Sequence, residues 1–417
     1  MSSSPPLATR SNTLAISWSV ETAAYVTLIL ALLALRVALW RYFRTPDILG
    51  DFLPWQVYLN EHGRWAALQH PISNYFPAYF DLAALTSYLD GYMNRVSQIK
   101  LISFCFDGLT ALVACFLVGQ LLNAGRDASA RRLAQKIAPL CILAGPTVIL
   151  NGAAWGQSDI VFTCFLLLST SAVVGGEGAL AALFFGCALA LKLQAVFLLP
   201  FLGAMLLQRR IRLWHLPFAL VGWIAAVIPA LMHGASLRSE FSAPFSQGRE
   251  FATLAINVGN PWTVAELAHV PYRFGTTAGI VVTLATGLAI LFWGSRPAFR
   301  TPKNTFALAC FSLLVMPYVM PKMHDRYFFS AEVFLSIISC VEYRFALPAG
   351  LVISASLICY SNYFLQHVRY SVLAFALLAN TLALLLVFLR LRLSTERQAT
   401  ADRPQVPEEA SPGYAPA

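Results

Sequence analysis

Twelve apolar runs, at about 17–40, 101–122, 137–151, 160–174, 179–191, 194–207, 214–232, 274–293, 304–319, 328–341, 345–361 and 370–389, alternate with short polar stretches along the chain. The longer runs match the roughly 20 residues that a helix needs to cross a bilayer. The pattern predicts an all-α, polytopic helical membrane protein with about twelve transmembrane helices, although 179–191 and 328–341 are short for full spans. We expect one domain over residues 1–393 and a disordered cytoplasmic tail over 394–417, where Pro, Ala and charged residues bury too little apolar surface to order themselves. Segment 78–93 (AYFDLAALTSYLDGYM) carries Asp81 and Asp90, and it reads as an amphipathic helix lying at the outer interface. If it spanned instead, the orientation of everything after it would invert.

Composition agrees: 58% of residues are hydrophobic and 12% charged, with a mean hydropathy of +0.64, whereas soluble domains are about one quarter charged. The net charge of +9 does not point to nucleic acid. The cations sit in short clusters between runs: Arg126, Arg131, Arg132 and Lys136; Arg209, Arg210 and Arg212; Arg296, Arg300 and Lys303; Arg390, Arg392 and Arg397. With a cytoplasmic N-terminus every cluster falls inside, as the positive-inside rule requires. The outer face then receives 41–100, the Trp155–Asp159 turn, Lys192, 233–273 and 320–327. The first run ends at Trp40 and Arg41 without a small-residue cleavage site, so it stays as an anchor. The eight cysteines lack CxxC or Cys/His spacing, and neither disulfides nor zinc is expected. Without a GxGxxG or Walker loop a nucleotide-sugar donor is disfavoured, and the absence of repeated halves disfavours transporters built from them.

Residues with chemistry collect on the predicted outer face. Asp51, in GDFLPWQVYLNEHGRW, lies among aromatic residues, where a carboxylate can take a proton from a sugar hydroxyl while rings pack on sugar faces; a solvated loop acid is the plain alternative. Trp155-Gly156-Gln157-Ser158-Asp159 offers an indole, an amide and a carboxylate, though Asp159 would also serve to cap the helix starting at Ile160. Lys192 interrupts ALALKLQAVFLLP. A cation at the bilayer centre costs roughly 2.5–3.5 kcal/mol, so Lys192 needs polar surroundings or must snorkel to the interface. In Pro321-Lys322-Met323-His324-Asp325-Arg326-Tyr327, two cations and an imidazole suit a phosphate leaving group, against the plain reading of a basic connecting loop. Asn257, Asn260 and Trp262 of INVGNPW read either as a turn or as a binding segment. Asp107, inside the second run, calls for a structural ion pair, with Arg95 as the candidate partner.

Taken in order, these motifs resemble the GT-C superfamily of lipid-phosphate-sugar-dependent membrane glycosyltransferases, over most of residues 35–340. That superfamily includes dolichyl-phosphate-glucose glucosyltransferases and bacterial polyprenyl-phosphate-mannose enzymes. Gly50-Asp51, a following Trp, His62-Gly63 and Asn74-Tyr75-Phe76-Pro77-Ala78-Tyr79 are similar to its first outer loop, with Phe76 where Pro is frequent. The late turn is similar to PKMHERY, with Asp325 in place of Glu.

The resemblance implies a GT-C-like fold and a catalytic base at Asp51. It implies donor-phosphate binding by Lys192, Lys322, His324 and Arg326, and sugar or acceptor binding by Tyr75, Tyr79, Trp155, Gln157, Asp159, Asn260 and Trp262; Asp107 and Asp325 are then structural. The implied activity is inverting transfer of a hexose, mannose or glucose, from a polyprenyl-phosphate donor to a glycolipid, glycan or protein at the outer face of a bacterial inner membrane. No cofactor beyond the lipid-linked sugar and no metal is called for. Membrane lipids, the donor and the acceptor are the expected partners, nucleic acid is not, and oligomeric state is left open. The alternative is a transporter or flippase of a lipid-linked sugar, which needs polar groups along a path through the membrane rather than at one face.

Overall fold

Hydrophobic runs without interior breakers become helices, and the computed structural model, which describes residues 20–401 except 71, 74, 123–126, 239 and 243–251, is 81% helical. From the N-terminus come α1 (Val20–Tyr42), α2 (Leu53–Glu61), α3 (Pro77–Thr86), α4 (Arg95–Leu121), α5 (Ala128–Leu143) and α6 (Pro146–Ile149). There follow α7 (Asp159–Gly175), α8 (Gly178–Leu191), α9 (Leu199–Leu207), α10 (Pro217–Met232) and α11 (Pro261–Leu267). The last five are α12 (Tyr272–Gly294), α13 (Pro302–Val319), α14 (Phe329–Val341), α15 (Ala346–Phe364) and α16 (Tyr370–Ala401).

Over the described residues each of the twelve apolar runs is mainly helical, with a break at 144–145 in the third, but six helices are long and apolar enough to cross a membrane, or seven if α5 and the bent segment 146–155, at 43° to it, form one span. Twelve full crossings therefore do not follow from length and composition. Four apolar helices, at 159–175, 178–191, 193–207 and 329–341, are shorter, and their faces are largely covered by other helices. Close approach makes this possible. A Cβ on Gly186 of α8 would lie 1.9 Å from the Ala219 carbonyl oxygen of α10, and one on Gly222 would lie 2.0 Å from the Leu183 oxygen, the small-residue contact by which membrane helices pack.

Three expectations change. Helix α3 is ten residues long, about 15 Å, so segment 78–93 does not span; it is not one continuous amphipathic helix either, because Pro77–Asp81, Ala83 and Ala84 are buried against protein while Leu85, Tyr88 and Tyr92 further along are exposed. Asp107 pairs with Arg36 of α1 at 2.8 Å, both fully buried, while Arg95 pairs with Asp90 at 3.6 Å. The pairing follows from α1 packing beside α4, which sequence spacing does not show. Helix α16 continues to Ala401, past the expected start of the tail at residue 394, carried by an Arg392–Glu396 pair and by Ser394 bonding to Asn304. Residues 402–417 and the N-terminal 1–19 lie outside the described residues.

Candidate active site

Two short π-helical turns, Ile48–Phe52 just after α1 and Leu150–Trp155 just before α7, carry the first two motifs. Such turns widen the helix and are frequent at functional sites. The second ends at Gly156, whose φ of +82° lets the chain reverse and whose Cβ, if present, would meet Ile48 at 2.9 Å. Its backbone is pinned from two sides: Thr45 donates to the Trp155 carbonyl at 3.0 Å, and Ser103 of α4 to the Gln157 carbonyl at 2.5 Å. The turn between α13 and α14 is held by a two-residue parallel ladder, β1 (Ala255–Ile256) with β2 (Met323–His324). Lys322, at φ +66°, donates its backbone N–H to the Leu254 carbonyl at 2.6 Å.

These three segments meet at Arg326. Its guanidinium lies 3.8 Å from Asp47, 3.7 Å from Asp159 and 3.8 Å from Asp325, and 5.4 Å from the Trp155 ring centre. None of those carboxylates is at hydrogen-bond distance, and the Arg326 Nε is buried without a hydrogen-bond partner among the described residues. Asp159 is engaged elsewhere: it accepts from Lys192 in a buried ion pair and from Asn151 at 2.7 Å. Asp47 accepts from the Trp155 indole at 3.0 Å, the Gln157 amide at 2.6 Å and the Tyr363 hydroxyl at 2.7 Å. Tyr363 in turn stacks on Trp155 with centroids 3.8 Å apart. The side-chain oxygens of Gln157 and Asn151 are buried and accept no hydrogen bond from a described residue. The centre thus holds an arginine Nε and two side-chain carbonyl oxygens without hydrogen-bond partners among the described residues, a donor and two acceptors by chemistry.

A model of glycosyltransferase family 87 matches residues 93–317. The chain belongs to glycosyltransferase family 87. That places it among the GT-C-like membrane glycosyltransferases and makes it a transferase of the membrane. No curated protein matches it.

Within this family 87 chain, Trp155, Gln157, Asp159, Lys192, Asp325 and Arg326 form one cluster. Tyr75 reaches its edge, with its hydroxyl 3.0 Å from that of Ser158. Tyr79 belongs instead to an aromatic core with Phe52, Trp55 and Tyr75, and is 2% exposed. Asn260 is fully buried; its oxygen caps α11 at the Trp262 N–H, 3.1 Å away, and its amide bonds to the Pro317 carbonyl at 3.2 Å. Trp262 donates to the Val319 carbonyl at 2.7 Å. Both therefore brace the late turn from behind. Asn257 donates to Asp325 at 3.2 Å, and Lys322 lies 5.4 Å from the Tyr272 ring. Asp51 is exposed, on the π turn that begins directly after Asp47. Asn74, part of the first-loop motif, lies outside the described residues.

Electrostatics sets protonation here. Burial, with the charges of Arg326, Lys192 and Lys322, pushes the His324 imidazole down to about 3, so it is neutral at physiological pH and offers a hydrogen bond rather than a cation. Burial raises Asp325 to about 6, against the opposing pull of Arg326. Sequence reasoning missed Asp47, Asn151, Tyr363 and Tyr360, whose hydroxyl accepts from the Asn151 amide at 3.3 Å and whose ring lies edge-on to Trp155. Asp47 stands four residues before Asp51 in TPDILGD, a helical spacing that puts two acids on one turn, and that was its one visible signal. The tyrosines, close to the end of an apolar run, are indistinguishable from interfacial belt residues.

Proposed function

We propose that this family 87 enzyme transfers a hexose, mannose or glucose, from a polyprenyl-phosphate donor to a hydroxyl of a glycolipid, glycan or protein, with inversion, at the outer face of its membrane. The observation that carries the reading is Arg326: a partly buried guanidinium within 4 Å of three carboxylates, yet with its buried Nε without a hydrogen-bond partner among the described residues, beside amide oxygens without donors. A planar, fixed fork of donors suits a phosphate that gains charge as its bond to the sugar breaks.

In this mechanism the acceptor hydroxyl oxygen attacks the anomeric carbon, its proton passes to the Asp51 carboxylate, and the bond from that carbon to the phosphate oxygen breaks. Arg326, Lys192 and Lys322 meet the charge of the departing lipid phosphate, and neutral His324 hydrogen-bonds within the same turn. Gln157 and Asn151 accept from sugar hydroxyls, while Trp155, held between Tyr363 and Arg326, positions the Asp47 carboxylate. Asp47 is not the base. Its oxygens already accept three hydrogen bonds, so it anchors the first outer segment to the arginine while Asp51, on the next turn and exposed, faces incoming acceptor.

Purified protein incubated with radiolabelled polyprenyl-phosphate hexose and candidate acceptors tests this directly. Transfer is expected in the wild type, with Asp51→Asn abolishing it while donor binding persists. Unchanged turnover in Asp51→Asn removes that residue from the mechanism, and movement of intact lipid-linked sugar across vesicles without transfer replaces the enzyme by a flippase.

A further inference from the structure

At the opposite end of the molecule, the start of α13, the junction of α14 with α15 and the last turns of α16 enclose a cavity of about 220 Å³. A single water needs roughly 10–15 Å³ on this scale, so the space takes a group of several atoms. Lys303, Arg344, Arg390 and Arg397 line it, and its one carboxylate, Glu342, is taken by Lys303 at 2.8 Å. Arg344, Arg390 and Arg397 make no ion pair with a described residue. Like charges gathered in a concavity repel one another, and an anion among them reverses the sign of that energy. The N-terminal end of α13, with its positive dipole, opens at the same place. Val319, the other end of α13, is about 24 Å away along the helix axis, which separates this cavity from the Arg326 centre.

The surroundings indicate what carries the anion. Leu378, Leu382, Leu385, Leu389 and Leu393 of α16 are all exposed and fall on one helical face, and Leu393 also lines the cavity. Such a stripe, on a helix hydrophobic enough to cross a membrane, is a surface for acyl chains, and it leads directly to the cations. We propose that this cavity binds the phosphate headgroup of an anionic lipid whose chains lie along the exposed leucines of α16. Basic pockets between membrane helices recognise lipid phosphates in this way. The headgroup then ties α16 to α13 and α14, the two helices that flank the Lys322–Arg326 turn. The proposal stands independently of the hexose reading.

The test uses the full chain purified in neutral detergent, with thermal unfolding followed after addition of phosphatidylglycerol, phosphatidylcholine or inorganic phosphate. Ligand that binds only the folded state raises Tm, so phosphatidylglycerol is expected to raise it by several degrees more than phosphatidylcholine, and inorganic phosphate at equal concentration to leave it unchanged. The triple variant Arg344→Gln, Arg390→Gln, Arg397→Gln should lose that excess. A control triple, Arg132→Gln, Arg209→Gln, Arg296→Gln, removes equal charge from the other basic clusters and should keep it. Equal shifts from both lipids, equal loss in both triples, or a full shift from inorganic phosphate alone each overturns the proposal. If the cavity triple does not fold, Arg397→Gln alone, at an exposed position, must reduce the phosphatidylglycerol effect, and an undiminished shift overturns the proposal equally.

Discussion

Tyr363, Trp155 and Gln157 converge on the Asp47 carboxylate with three hydrogen bonds, and hydrogen bonds to a charged group contribute about 1.5–3 kcal/mol each. Asp47→Asn places an NH2 against donors, so we expect a lower Tm and a transfer rate reduced tenfold or more, together with weaker donor binding. Asp51→Asn should differ by losing turnover alone; thermal unfolding and donor titration on the two variants separate these outcomes. His324 and Asp325 make a second contrast. The imidazole falls from 6.5 to about 3, so between these values the unfolded chain holds a proton that the folded one lacks, and stability rises with pH. The Asp325 carboxyl rises from 3.8 to about 6, so in that window the folded chain holds the extra proton, and stability falls as pH rises. The two effects oppose each other between about pH 4 and 6. Unfolding followed across that window should show stability falling more steeply with pH in His324→Gln than in the wild type, and rising in Asp325→Asn; parallel profiles for the two variants contradict the assignment.

Among the elements, the short helices and turns depend on contacts that glycine makes possible. A Cβ on Gly279 of α12 would lie 2.5 Å from Pro321 and 2.9 Å from Trp262, so Gly279→Ala pushes on the turn that carries Arg326. Gly186→Ala drives a methyl into the backbone of α10 instead, and overpacking of this kind costs roughly 1–3 kcal/mol. Gly279→Ala is expected to reduce turnover more than Tm, and Gly186→Ala to lower Tm while folded molecules keep the wild-type rate. Helix existence was legible in the runs themselves, because an apolar stretch in lipid has few ways other than a helix to satisfy its backbone. The π turns at 48–52 and 150–155 were not. Each is a small departure from α-helix fixed by distant partners, such as Thr45 on the Trp155 carbonyl, and carries no local spacing of its own. The burial of the first part of α3 was not legible either: the scattered polar residues of 78–93 read as one amphipathic stretch, whereas neighbouring helices cover Pro77–Asp81, Ala83 and Ala84 and leave Leu85, Tyr88 and Tyr92 exposed.

For the whole molecule, the proposed active centre and the basic cavity at Arg390 lie toward opposite ends of α13. A cysteine replacing exposed Tyr92 should react with an impermeant maleimide on intact cells, and one replacing Arg397 only after permeabilisation, in a background lacking the eight native cysteines. Labelling of both from one side would falsify the orientation. The chain's hydropathy and charge clusters by themselves determined that it is a helical membrane protein, and its ordered motifs pointed to GT-C enzymes, of which family 87 is one. Those signals are local: a run, a cluster or a short motif is complete within a few turns of chain. Tertiary structure alone decided that Asp107 pairs with Arg36, that Asn260 braces a turn, and that Asp47 joins the arginine while Asp51 stays exposed. Partners 57 to 316 residues apart are chosen by how helices pack, and no spacing along the sequence encodes that choice.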